Sequence, residues 1–399
     1  MARAATPTPP TTSDTDPMEA PALRRCVGDV GAFFAHHWGR APLLLTQDED
    51  AGFDDLASLD DLDRMISSLA LRGSNLRMVK DGETLPAAAY TVAPSARSRG
   101  IEPLVDPAAV YQRFFEGATI VLEGIHRLWE PLARFCRGLE LELGHRLQVN
   151  AYVTPPGSQG FDVHRDDHDV FVMQVWGSKR WTVFDRADDD VVLIEQEIPS
   201  ASSLYIPKGF PHAAATTDRV SAHLTVGILT HDSIDIVREI TKLAAEEPAF
   251  AERLGRTAVG DERRLRAEVE RHVDELRNWL DKVDLDDLTT RVARKLWTTS
   301  QPALTGQLRR LATLDDVAAG TNVRHRAGVT SHLSRHGDVV RLLLPDRELE
   351  FPPIAEDALI YVMEREVFCV RDLHRVIDPH SALVLVRRLI REGLLEVDA

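Results

Sequence analysis

Cysteine, long apolar runs and positive charge are all scarce in this 399-residue chain. Its cysteines, Cys26, Cys136 and Cys369, are scattered and odd in number, without the paired spacing of a zinc site or a disulfide framework, so they read as buried thiols. No stretch approaches the roughly 18 apolar residues of a membrane span. The opening MARAATPTPPTTSDTDP lacks the apolar segment of a signal peptide. These absences predict a cytoplasmic protein with no membrane association and a disordered leader over residues 1–21. A formal net charge of −16 argues against general affinity for the phosphate backbone of nucleic acids, and it would attract a basic protein.

What is present suits a soluble globular protein of more than one domain: 44% apolar and 28% charged residues over a length beyond one typical core. From residue 22 to about 124 helix-like and strand-like patterns mix. VGDVGAFFAHHWGRAPLLLTQ reads as a helix turning into a strand at 42–45, LRMVKDG and GATIVLEG as strands, and RLWEPLARFCRGLELEL (127–143) as a helix stopped by Gly144. Between 148 and 230 the texture is β: QVNAYVT, DVFVMQVW, RWTVFD, VVLIEQEI, SLYIP and SAHLTVGIL are short runs separated by turn residues, the signature of a barrel or sandwich.

After Thr230 the pattern turns to charged helices. In one of them Leu265, Val269, Val273 and Leu276 form an apolar stripe that must pack either on its own chain or on a second copy. From about residue 321 a hairpin turning at Pro345-Asp346, two helices and a short terminal strand suggest a winged-helix module. That segment holds 11 arginines, no lysine and 13 acidic residues, so it lacks the electrostatic footprint of a DNA reader, although Arg387, Arg388 and Arg391 cluster on its last helix.

The chemistry concentrates in NAYVTPPGSQGFDVHRDDHDVFVMQVWGSK, residues 150–179. His164 and Asp166 are two apart in a strand-like run, so alternation puts both on one face. His212 follows 48 positions after His164, just past a strand and a Pro/Gly turn. Two imidazoles and a carboxylate make the donor set of a non-haem Fe(II) centre with open positions for oxygen chemistry. His168 shares the face of His164 and Asp166 by parity and competes for the third place; His212 is preferred because the set closes more easily when one ligand comes from another strand. His223 reads as a core histidine, and His231 as lying outside the barrel mouth. If the open positions bind a 2-oxo acid, its distal carboxylate needs a counter-charge. Lys179, past Gly177, fits that role, with Asn150 and Tyr152 on the preceding strand adding hydrogen bonds.

WGRAPLLL (38–45), residues 150–181, YIPKGFPHAA (205–214) and SAHLTVGI (221–228) together resemble the JmjC-type 2-oxoglutarate oxygenases of the ribosomal oxygenase group, also called cupin-4 proteins. The resemblance implies an α+β architecture: a double-stranded β-helix over residues 22–231, a helical dimerisation region over 232–320 and a winged-helix domain over 321–399. It implies Fe(II) held by His164, Asp166 and His212, and 2-oxoglutarate held by Lys179, Asn150 and Tyr152. It further implies a dioxygen-dependent hydroxylase acting on a side chain, arginine or histidine, of a basic ribosomal protein, and a homodimer. Two positions depart from the family. Gly227 stands where some members carry a hydroxyl residue near the co-substrate, and Arg165 is a large cation that reads either as facing the substrate or as a surface residue. A hydroxylase of a biosynthetic peptide and a non-enzymatic cupin or winged-helix regulator are the alternatives, and the complete triad with Lys179 weighs against the second. Histone demethylation has only fold analogy behind it.

Overall fold

The computed structural model describes residues 20–48, 52–92, 100–254, 260–297 and 304–398, so the expected leader falls outside it up to residue 19. Pro21 already opens a helix. The chain divides into two units between Thr230 and His231.

The described residues of the first unit form twelve strands: β1 (Leu43–Thr46), β2 (Leu76–Lys80), β3 (Glu83–Thr84), β4 (Thr119–Leu122), β5 (Arg146–Thr154), β6 (Gln159–His164), β7 (Asp169–Trp176), β8 (Ser178–Phe184), β9 (Val192–Pro199), β10 (Ser202–Ile206), β11 (His212–Thr216) and β12 (Ser221–Leu229). Eight of them form one sheet in the order β1-β10-β7-β12-β5-β4-β2-β3, and four form a second in the order β6-β11-β8-β9. Every pairing is antiparallel.

Alternation along the central strands explains this layering. On β5, Leu147, Val149, Ala151 and Val153 point into the main core, and on β12 Ala222, Leu224, Val226 and Ile228 do the same. That face is covered by helices, including Leu59–Ser68, started by a Ser58/Asp61 capping box, and Glu130–Leu143, stopped at left-handed Gly144. The helix expected from residue 127 begins at Glu130 because Trp129 is extended and Pro131 opens the first turn. The intervening residues of β5 and β12 face a cavity shared with the four-stranded sheet. A smaller apolar cluster, with Val170, Val172, Trp181, Val183 and Phe210, fills the rest of that space.

One expectation fails. The strand predicted to carry His164, Asp166 and His168 on one face stops at His164, and the next begins at Asp169. The chain must leave the four-stranded sheet and enter the eight-stranded one, and residues 165–168 make that crossing; parity therefore does not reach Asp166 or His168.

In the second unit, helices span Ser233–Ala245, Glu262–Leu280 and Leu285–Trp297. The Glu262–Leu280 helix has no buried residue, and its stripe of Leu265, Val269, Val273 and Leu276 is exposed. Further on, β13 (Asn322–His325), β14 (His332–His336), β15 (Val339–Leu344), β16 (Arg347–Phe351), β17 (Val367–Cys369) and β18 (Leu395–Val397) form two three-stranded sheets, β17-β13-β18 and β14-β15-β16. Leu344 pairs with Arg347, which places the turn at Pro345-Asp346 as the sequence predicts. Helices Glu356–Met363 and Pro379–Arg391 contribute to the core of these sheets. The clustered arginines make local contacts: Arg387 donates to the carbonyls of Asp315 and Val317, Arg388 lies over the Phe351 ring, and Arg391 meets Glu392. Cys26 and Cys136 are buried, which pushes both thiols up, whereas Cys369 is only half-buried, contrary to expectation.

Candidate active site

His164 ends β6 and His212 begins β11, and the two are direct partners across the ladder. Their rings lie 4.4 Å apart at 59°. Asp166, from the crossing turn, brings Oδ2 to 3.5 Å from His212 Nε2. One donor atom from each residue lies within 4.8 Å of the others, and this is the metal-ligating group found among the described residues. In each imidazole Nδ1 donates to a carbonyl two residues earlier, His164 to Asp162 at 2.9 Å and His212 to Phe210 at 3.0 Å. Because a carbonyl only accepts, the hydrogen sits on Nδ1 and the lone pair on Nε2, the tautomer a metal requires. Burial holds the His212 imidazole below its ordinary pKa, which also favours the neutral ligand form.

From the triad the cavity, about 150 Å³, runs inward between the sheets. Lys179 lines it and is 3% exposed. Its Nζ donates to Thr154 Oγ1 at 3.2 Å, and no carboxylate among the described residues pairs with it. Burial alone pushes its pKa down to about 7. His223 lies close to Lys179 and is also buried; the loss of solvent, then the Lys179 charge, hold it well below the usual imidazole value. Its Nδ1 has no partner, and neither does Trp181 Nε1. Three polar groups with unused hydrogen-bonding capacity thus face one cavity, and such groups are rare in a protein interior unless a ligand completes them. A dicarboxylate with one end at the metal and the other at Lys179 would do so.

Asn150 and Tyr152 both line the cavity as the sequence predicts. Asn150 Oδ1 accepts from the Gly124 N–H at 2.9 Å, fixing the amide. Tyr152 stacks on His223 with rings 4.9 Å apart and 2° from parallel, and burial raises its phenol pKa. The sequence reading assigned His223 to the core and passed over Thr154, Trp181, Gln148 and Thr225. All but Thr154 line the cavity, and the alternation of SAHLTVG, which puts residues 223, 225 and 227 on one face, was the signal available. His168 also lines it, from the turn and not from a strand. Arg165 does not; its guanidinium bonds to the carbonyls of Gly209 and Arg186.

Residues 126–203 match the family model described as the JmjC domain. The chain's relatives bear out the resemblance read from the motifs. The chain is 28% identical over 220 residues to ribosomal oxygenase 1 of Gallus gallus, covering 50% of this chain and 35% of that one. It is 25% identical over 410 residues to the bifunctional lysine-specific demethylase and histidyl-hydroxylase NO66 of Dictyostelium discoideum, covering 90% and 75%. It therefore spans about a third of the chicken relative and three quarters of the Dictyostelium one. The fold matches that of YcfD, a ribosomal oxygenase from Escherichia coli, with a TM-score of 0.54, 18% identity and coverage of 93% of this chain and 98% of that one. A second YcfD structure, in complex with cobalt and 2-oxoglutarate, matches with a TM-score of 0.53 and 18% identity, covering 92% and 98%. The donor set here fits Fe(II), and the cavity fits 2-oxoglutarate.

Proposed function

We propose that this protein is an Fe(II)- and 2-oxoglutarate-dependent oxygenase that hydroxylates a side chain, arginine or histidine, of a ribosomal protein. The observation that carries the reading is Lys179: a buried ammonium with no carboxylate partner among the described residues, lining the same cavity as two histidines and an aspartate. A permanently unpaired buried charge is costly, and a diacid co-substrate removes the cost.

Each residue then has a task. His164, Asp166 and His212 hold the metal, and the Nδ1 bonds fix both imidazoles in the ligating tautomer. Lys179, oriented by its bond to Thr154, and His223 receive the distal carboxylate, Asn150 and Tyr152 line its path, and the apolar cluster beside them excludes water. When bound, iron, 2-oxoglutarate and dioxygen supply the oxidising power that places one oxygen on an unactivated carbon, with succinate and carbon dioxide released. No side-chain general base is needed.

The names of the relatives support a ribosomal target, and exposed aspartates support a basic one: Asp162, Asp167, Asp188 and Asp190 are exposed around the crossing turn and the β8–β9 loop, outnumbering the exposed Arg165 and Arg186 there. A ribosomal substrate places the protein in the cytoplasm, and no helix among the described residues is long and apolar enough to cross a membrane. Residues 232–320 serve as a dimerisation region through the exposed stripe at Leu265 to Leu276, and residues 321–399 as a winged-helix module for partner binding.

The test is incubation of the purified protein with Fe(II), 2-oxoglutarate and whole ribosomes, followed by mass spectrometry. One ribosomal protein gains one oxygen, and His164→Ala or Asp166→Ala abolishes the gain. Full turnover in either variant overturns the assigned triad; succinate formation with peptides but never with ribosomes moves the substrate to a biosynthetic peptide.

A further inference from the structure

The metal ligands come from two chain segments, and one side chain joins them. Arg165 stands between His164 and Asp166, yet its Nη1 donates to the carbonyl of Gly209 at 2.7 Å and to that of Arg186 at 3.2 Å, while Nη2 meets the Asp189 carboxylate. Gly209 completes the link in the other direction, its N–H donating to the carbonyl of Asp166 at 3.0 Å. Gly209 has φ +82°, a left-handed conformation that favours glycine, and a Cβ there would reach within 3.4 Å of Arg186 Cδ. The next residue, Phe210, gives the carbonyl that fixes the His212 ring, and the Arg186 guanidinium lies 5.3 Å from the Phe210 ring centre. The segment carrying His164 and Asp166 is thus fastened at both partners to the segment that delivers His212.

We propose that Arg165 is a positioning residue for the metal centre, holding the 164–166 segment against the 209–212 segment so that the three donors stay in register. The inference rests on the reading of His164, Asp166 and His212 as the metal site. Its physical basis is that Asp166 lies beyond the end of β6, where no strand ladder fixes it. A guanidinium presents five N–H groups in a rigid plane and serves two carbonyls and a carboxylate at spacings that an ammonium, a point charge on a flexible stem, does not hold fixed. The Asp189 pair is the lesser part: Arg165 is 41% and Asp189 64% exposed, and ion pairs so exposed contribute little. The charge-assisted bonds to Gly209 and Arg186 carry the effect.

The experiment is titration of the metal-free full chain with Co(II), read by calorimetry and by the visible absorption of the bound ion. Arg165→Ala weakens Co(II) binding by about 10- to 100-fold, the range for groups that orient metal ligands, and alters the visible bands. Arg165→Lys falls between wild type and Ala, and Asp189→Asn changes affinity by no more than about twofold. Thermal unfolding of the metal-free proteins accompanies the titrations; should Arg165→Ala fail to fold, Arg165→Lys carries the comparison. Unchanged affinity and spectrum in the Arg165 variants overturn the inference, as does an Asp189→Asn loss equal to that of Arg165→Ala. A wild-type chain that binds Co(II) no better than His164→Ala overturns the metal-site reading itself, a separate outcome.

Discussion

The imidazole of His168 occupies the space that a side chain at position 227 would fill: a Cβ on Gly227 would stand 2.5 Å from His168 Nε2 and 2.7 Å from its Cδ2. The ring is held from its other side by a 2.8 Å contact between Nδ1 and the Asp167 carboxylate. Glycine at 227 is therefore the counterpart of a histidine that enters the cavity from the crossing turn.

Gly227→Ala overpacks that contact and destabilises the protein by about 1–3 kcal/mol, towards the lower end because the His168 ring is partly exposed and can swing outward. In a His168→Ala background the same substitution costs less than half as much, since the clashing ring is gone and the next neighbour, the Gln148 carbonyl, lies at an ordinary 3.6 Å. Denaturant unfolding of the four proteins checks the cycle; additive effects would show that the two residues do not share the space.

Lys179 sets a pH dependence with two opposite signs. In the proposed complex the distal carboxylate of 2-oxoglutarate pairs with the charged ammonium, whose protonated fraction falls as pH rises through about 7. Affinity for 2-oxoglutarate therefore declines above neutrality. Stability of the ligand-free fold runs the other way. The folded pKa is lowered from 10.5 to about 7, so across that window the unfolded chain holds more protons and stability rises with pH. Below about 7 both states are charged and the burial cost is fully present. Lys179→Met flattens the rise and abolishes 2-oxoglutarate binding. Calorimetric titration and thermal unfolding on either side of neutrality check both signs, and equal co-substrate affinity at the two pH values would refute the assignment.

The helix Glu262–Leu280 exposes Val269 to 54% and Leu265 to 42% on its apolar stripe. With a second copy as the proposed cover, wild type sediments as a dimer and Val269→Asp shifts it to monomer at equal concentration, because a charge in an apolar contact has no partner. A wild-type monomer at high concentration rules this occupant out.

Sequence alone determined the faces of the central strands. In QVNAYVT and SAHLTVGIL a period of two sorts Asn150 and Tyr152, and likewise His223 and Gly227, to one side, and the apolar partners to the other; this follows from local backbone geometry. Donor chemistry then selected His164, Asp166, His212 and Lys179, and the hairpin at Pro345-Asp346 followed from turn residues. Tertiary structure decided what depends on the crossing between sheets. Strand parity ends at His164, so the turn alone brings Asp166 to the metal site and His168 against Gly227. Facing of the two sheets sets His223 beside Lys179, and Arg165 turns to Gly209, 44 residues away. These contacts arise from long-range strand pairing, which a short-range pattern of residues does not encode.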